Sequence, residues 1–309
     1  MKYVFGPVFS RRLGFSLGVD LVPFKVCSMD CLYCEVGATT EKTLNRAEYV
    51  PFDEVKSELS EFLKGNPDID YITFSGYGEP TLFSRLGDLV KWIKDEFPQF
   101  KLALLTNSSL LHRDDVINDV REIDLILPSL DAATDETFKK LNRPVSGLTV
   151  NRVVEGILRL KSETESKIWL ETLFVRGIND KKEEVERLGE LVYKISPDKW
   201  HLNTVVRPPA YGVEGLSYEE LSEIAKTVNY PNTEIIAKSV AKKRKMPVNE
   251  LREEIYQIVV RRPCPVDEIA DALGVLKEEV ESIVEKLEEE GKVKTVFYGG
   301  EPYVKGISG

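Results

Sequence analysis

Three of the four cysteines fall within eight residues, as Cys27-Ser-Met-Asp-Cys31-Leu-Tyr-Cys34, while Cys264 lies far downstream. Three clustered thiols cannot pair off evenly, so the spacing points to a metal rather than to disulfides. Two kinds of centre remain. Zinc asks for a fourth ligand, and the chain's imidazoles, His112 and His201, are both remote in sequence. A cubane iron–sulfur cluster is normally held by four thiolates, one per iron, so three local cysteines leave one iron open to another ligand. An open iron is a reactive feature rather than a structural one.

The elements that must position these thiols are legible as patterns. Short apolar, β-branched runs recur at 17–22, 71–74, 102–105, 125–128, 168–175 and 200–206. Amphipathic stretches at helical spacing lie between them, at 52–63, 86–97, 148–160 and 181–195. Asn179-Asp180 and Ser217 precede helical patterns as candidate N-caps. This alternation predicts an α/β fold, a parallel sheet with right-handed crossovers, and its six units suit a partial (β/α)6 parallel barrel. Chemistry in such a barrel sits at the C-terminal ends of the strands. Those ends carry the cysteine loop, then Ser75-Gly76-Tyr77-Gly78-Glu79-Pro80, Thr106-Asn107-Ser108-Ser109 and Ser129-Leu130-Asp131. The fifth strand carries Glu171 and ends at Arg176-Gly177, and the sixth presents His201, Asn203 and Arg207. Each cluster alone also reads as a turn or a helix cap. Six of them aimed at one rim describe a ligand site, with the two glycines expected to let the backbone approach a ligand.

Cys-x₃-Cys-x₂-Cys with Tyr33 just before the last cysteine, followed by Gly78-Glu79-Pro80, resembles the radical S-adenosylmethionine (SAM) superfamily over most of the chain. More narrowly, the stretches 6–14, 16–23 and 203–209 resemble a group of archaeal and bacterial members commonly classed beside the wyosine tRNA-base synthases. The resemblance implies that Cys27, Cys31 and Cys34 hold a [4Fe–4S] cluster whose fourth iron chelates SAM. One electron, from a flavodoxin- or ferredoxin-type donor, would cleave SAM to methionine and a 5′-deoxyadenosyl radical that abstracts hydrogen from an unidentified substrate, an RNA base or a small molecule. It also implies SAM contacts at Gly76, Gly78 and Glu79 for the methionyl part and Tyr33 toward the adenine. Asn107, Ser129 and Asp131 are candidates for ribose and carboxylate contacts, Asn203 lies on the same rim, and Arg207 is a candidate carboxylate anchor. Wyosine synthases proper use a second cluster, for which this chain lacks the cysteines.

The composition sets bounds on partners. With 42 Lys+Arg against 52 Asp+Glu in 309 residues, the net charge of −10 opposes wholesale wrapping of nucleic acid. No apolar run approaches the ~20 residues that span a bilayer. Arg11 and Arg12 interrupt the N-terminal apolar stretch, which does not read as a signal peptide. The expectation is a cytoplasmic protein with no membrane partner.

Domain organisation reads as a radical SAM barrel at 1–236, a basic linker at 237–248 and a winged-helix-like α+β domain at 249–309. The linker holds Lys242-Lys-Arg-Lys245. Beyond it the pattern is a helix, a helix–turn–helix and a hairpin around Gly299-Gly300. The second helix of that motif would normally enter the DNA major groove, but residues 277–290 hold seven glutamates against two lysines. Duplex DNA is therefore disfavoured. The basic segment 242–245 and Arg261-Arg262 leave tRNA open as a partner. A second class of function, an iron–sulfur- or zinc-sensing winged-helix regulator without catalysis, uses the same thiols and is disfavoured by those glutamates.

Overall fold

The computed structural model describes residues 2–10, 12–65, 67–236 and 248–307, with the side chains of residues 9 and 248–250 left aside. Residues 237–247, nearly all of the expected basic linker, lie outside the described residues.

The chain opens with a hairpin, β1 (Val4–Ser10) and β2 (Gly14–Val19), followed by two short strands, β3 (Val26–Cys27) and β4 (Glu41–Lys42). Helix–strand alternation follows as α1 (Phe52–Lys64), β5 (Tyr71–Phe74), α2 (Leu86–Glu96), β6 (Lys101–Thr106), α3 (Asp114–Val120) and β7 (Leu125–Pro128). It continues through α4 (Asp135–Leu141), α5 (Val150–Glu163), β8 (Lys167–Phe174), α6 (Lys182–Ile195), β9 (Lys199–Thr204), α7 (Tyr218–Val228) and β10 (Thr233–Ile235). The last part is α8 (Val248–Arg261), α9 (Val266–Leu273), α10 (Lys277–Glu289) and the hairpin β11 (Val293–Tyr298) with β12 (Glu301–Gly306).

Eight strands form one open sheet in the order β1-β2-β5-β6-β7-β8-β9-β10. Every pair in it is parallel except β1 with β2. The expected six-strand sheet is thus extended by an antiparallel edge and a short seventh parallel strand. The first predicted strand, 17–22, lies earlier, at Gly14–Val19, because its N-terminal half completes the hairpin with β1.

The two faces of the sheet differ. One face packs on the helices: Phe52, Val55, Leu59 and Leu63 of α1, at helical spacing, share a core with Ile72, Leu102, Leu104 and Ile126. The other carries a smaller apolar group, Leu13, Ala103, Leu125 and Leu127, against Trp169. A buried Ser16–Thr73 hydroxyl pair at 2.5 Å links neighbouring strands β2 and β5. Ser217 caps α7 in a reciprocal box with Glu220, as its spacing suggests. Asn179-Asp180 is not a cap. Asn179 Oδ1 accepts from the Val175 amide and its Nδ2 donates to the Asp131 and Leu173 carbonyls, so it staples the loop after β8 instead.

Residues 248–307 have their own core, built from Leu251, Ile255, Ile269, Val280, Ile283, Leu287 and Val304, with Cys264 fully buried inside it. Val8 of β1 packs against that core. Arg261 at the end of α8 stacks on Phe5 at 4.0 Å and pairs with Asp20. The C-terminal unit therefore sits against the hairpin edge of the sheet.

Candidate functional site

The cysteine loop leaves the C-terminal end of β2 and is pinned from several sides by backbone hydrogen bonds. The Asp30 and Leu32 amides donate to the carbonyls of Asn142 and Leu141 at the end of α4, and Ala210 and Tyr211 donate to Cys34 and Leu32. Asp30 is held further by the Tyr211 hydroxyl at 2.8 Å and by Arg143 at 3.1 Å. The loop is thus fixed by contacts with segments more than a hundred residues away, with Cys27 buried and Cys31 and Cys34 half-buried.

The surroundings of the sulfurs are donors. Lys25 Nζ lies 2.8 Å from Cys34 Sγ and 2.7 Å from the Gly37 carbonyl, although Lys25 is 3% exposed. Asn107 Nδ2 points to Cys27 Sγ at 3.4 Å and to Ser28 Oγ at 2.9 Å, and Asn142 Nδ2 reaches Cys31 Sγ at 3.5 Å. Burial, with the charge of Glu79 as a second cause, pushes the Cys27 thiol up to about 11. Cys31 is raised too, by burial first and then by Cys27 and Cys34. Burial is the largest single influence on Lys25 and works against its charge, but the three cysteine sulfurs together, Cys34 foremost, leave its pKa raised. Such thiols ionise only beside a strong positive charge. Among the described residues, no three His, Cys, Asp or Glu side chains are gathered as a single metal ion needs.

The turn after β5 is the buttress of this loop. Glu79 is 2% exposed, and its carboxylate accepts from the Thr81 amide at 3.1 Å, the hydroxyls of Thr81 and Thr106 at 2.6 and 2.7 Å, and the Asn107 amide at 2.7 Å. Three of these donors converge on Oε1 and one on Oε2, so the carboxylate is held by the chain and orients its backbone. Burial raises its pKa, and those four donors act against that rise. The glycines serve the chain as well. A Cβ at Gly78 would lie 1.8 Å from the Val26 carbonyl, and one at Gly76, where φ is +125°, would lie 1.6 Å from Asp20 Oδ1. The expected close approach to a ligand is, in this structure, a close approach to the entry of the cysteine loop and to Asp20.

The other predicted positions divide. Tyr33 donates its hydroxyl to Asp131 at 2.5 Å, and Asp131 also accepts from Asn142 Nδ2 and the Leu173 amide, so this pair is a knot behind Cys31. Asn107, Ser129 and Asp131 meet around a space of about 10 Å³, the size of one water. The cap of α4 is Thr134 rather than Ser129 or Asp131. Asn203 bonds the amide of Thr204. His201 is 1% exposed beside Trp169, and burial, with Arg12 next, lowers its pKa to about 4. Arg207 is 2% exposed and ion-paired with Glu35 at 2.7 Å and with Glu268 of α9.

Sequence reasoning missed Asp20, Lys25, Asn142 and Glu35. Lys25 and Glu35 flank the thiol motif directly, and that adjacency was the available signal. Asp20 and Asn142 carry none, because each acts through partners far away in sequence.

The site is a three-thiol loop at the strand ends of a mostly parallel α/β sheet, braced by a Gly-x-Gly-Glu-Pro turn. A family model described as the radical SAM superfamily matches residues 21–189. The chain belongs to the radical SAM superfamily. It is 34% identical to the UPF0026 protein MJ1312 of Methanocaldococcus jannaschii, over 99% of this chain and 97% of that protein. It is 36% identical to a Brachyspira hyodysenteriae protein named GTPase Obg, over 97% of this chain but only 44% of that longer protein. A radical SAM methyltransferase from Sphaerobacter thermophilus shares the fold, with a TM-score of 0.55 and 18% identity over 71% of this chain and 65% of that one. No helix among the described residues is long and apolar enough to cross a membrane.

The donor set fits the group its family binds. Cys27 and Cys31, raised by desolvation, ionise most readily against a strongly positive group, and a cluster core held jointly with Cys34 is such a group. The amide donors on Cys27 and Cys31 and the ammonium on Cys34 are the contacts that stabilise sulfur carrying negative charge.

Proposed function

We propose that this protein is a radical SAM enzyme carrying one [4Fe–4S] cluster on Cys27, Cys31 and Cys34. The observation that supports this most is the donor shell, in which each of the three sulfurs has its own N–H donor, from Asn107, Asn142 and Lys25 respectively. When bound, the cluster and SAM supply one-electron cleavage of a sulfonium C–S bond and a deoxyadenosyl radical competent to abstract hydrogen.

The chain's own part is positioning and shielding. Glu79 holds the 79–81 strip and the Asn107 amide in one arrangement, which leaves the main chain of Gly76 and Gly78 to face SAM. Asn107 and Ser129 stand beside it. Tyr33 and Asp131 act one layer back, by fixing Cys31. Arg207 and Asn203 lie on the substrate side of the rim.

We read the sheet as a partial barrel, residues 248–307 as winged-helix-like, and the chain as a relative of the wyosine-synthase-like group. A cytoplasmic setting and a small one-electron donor protein follow from that reading. The test is anaerobic reconstitution with iron and sulfide, followed by reduction with SAM present. Deoxyadenosine and methionine are expected from the wild type and not from Cys31→Ala. A fully reconstituted protein that takes up only zinc, or that leaves SAM intact, sinks the proposal.

A further inference from the structure

A cavity of about 260 Å³ separates the sheet from the C-terminal unit, and the assignments above leave it without an occupant. Glu35, Gly76 and Arg207 line it from the barrel side, and Ile258, Arg262 and Glu268 line it from α8 to α9. Gly76 and Glu35 place it next to the proposed SAM strip and the cysteine loop.

Its charged wall has an unusual composition. Of the four arginines that line it, Arg261 is matched by buried Asp20 and Arg12 by Glu171. Arg207 is different. It is a permanent cation, 98% buried, and its Nε–H has no hydrogen-bond partner. Its two counter-ions, Glu35 and Glu268, are 39% and 29% exposed and belong to separate units. Arg262 approaches the same Glu35 at 3.8 Å. A deeply buried guanidinium held by two solvent-reaching carboxylates invites exchange. An incoming acidic group can replace either carboxylate, which turns to water, and can satisfy the orphaned Nε–H at the same time.

Size limits what carries that acidic group. Helices α8 and α9 wall one side of the cavity, and the C-terminal unit is fastened by Arg261 on Asp20, by Tyr303 Oη on the Val206 carbonyl at 2.8 Å and by Tyr298 Oη on the Val213 carbonyl at 3.0 Å. A space of about 260 Å³ suits a small molecule rather than a polynucleotide.

We propose that this cavity is the substrate chamber and that the substrate is a small molecule bearing a carboxylate or a phosphate, bound through Arg207 in place of Glu35 and Glu268. The proposal rests on the radical SAM reading but is tested apart from it, on the 309-residue chain without cluster. Isothermal titration with inorganic phosphate, and separately with acetate, reads the affinity. Removing the competing charges in the double variant Glu35→Gln, Glu268→Gln is expected to tighten binding at least tenfold, a gain that a misfolded chain cannot show. Arg207→Gln is expected to weaken binding at least tenfold. A response to phosphate only assigns a phosphorylated substrate, and a response to acetate only assigns a carboxylic acid. Equal affinity in all three proteins, or no binding of either anion to the double variant, overturns the proposal. So does tight binding of a tRNA transcript by a wild type that ignores both anions. Because the titration needs neither iron nor SAM, its failure leaves the deoxyadenosine assay standing, and the reverse also holds.

Discussion

Replacing Arg261 by Met tests whether Asp20 is ionised beneath the C-terminal unit. Asp20 is 3% exposed; its Oδ2 accepts from Arg261 Nε at 3.1 Å and Nη2 at 2.8 Å, and its Oδ1 accepts from the Tyr77 amide at 3.1 Å. Burial raises its pKa to about 6, with the Arg261 charge and hydrogen bonds holding it from going higher. A carboxyl raised above its unfolded value adds stability below pH ~4, and that contribution is lost as pH rises through 6. In the wild type the loss then levels off, because Asp20 has ionised against Arg261. Without the guanidinium the pKa moves further up, and stability keeps falling by about 1.4 kcal/mol for each pH unit above 6. The destabilisation caused by Arg261→Met should therefore be constant between pH 4 and 6 and grow by roughly 2–3 kcal/mol from pH 6 to 8. Removing one partner of a buried pair costs about 3–5 kcal/mol in all, which sets the ceiling. Urea unfolding across pH 5 to 8, with hydrogen exchange in α8 to show which part opens, measures this. Adding Asp20→Asn should abolish the pH-dependent part. An equal loss at pH 5 and pH 8 refutes the reasoning, since it means that Asp20 carries no charge next to Arg261.

Gly78→Ala should prevent cluster loading, because a Cβ 1.8 Å from the Val26 carbonyl moves the entry to the cysteine loop, and overpacking there costs about 3 kcal/mol; iron content per chain after reconstitution checks it, and full iron content would count against the buttress role. His201 is held neutral, so its contribution is present above pH ~6.5 and lost as pH falls through about 4, amounting to roughly 3 kcal/mol at the acid end. His201→Leu should flatten that acid limb of the stability curve without lowering stability at pH 7, and an unchanged slope would contradict it.

The sequence disclosed what is local. The thiol loop and the Gly-x-Gly-Glu-Pro turn are short segments readable from residue type and spacing, and the runs at 71–74, 102–105 and 125–128 are continuous apolar stretches buried within the sheet. β1 escaped because Gly6-Pro7 interrupts it and the pairing with β2 shifts register there. Asn179-Asp180 misled because an Asx side chain can bond backwards as readily as it caps forwards. What no local pattern could carry are the links across 241 residues from Arg261 to Asp20 and across 172 from Arg207 to Glu35. The Arg261-Arg262 pair looked like a handle for tRNA, yet Arg261 is buried against Phe5 and Asp20 at the hairpin edge of the sheet.

Glu35 directly follows the third thiol of the loop, and through Arg207 it is tied to Glu268 at the start of α9. The terminal helices thereby hold a tether that ends one peptide away from Cys34. On the proposed reading, an acid that displaces Glu35 from Arg207 frees the residue next to Cys34, so the filling of the cavity and the setting of that thiol are linked through one side chain.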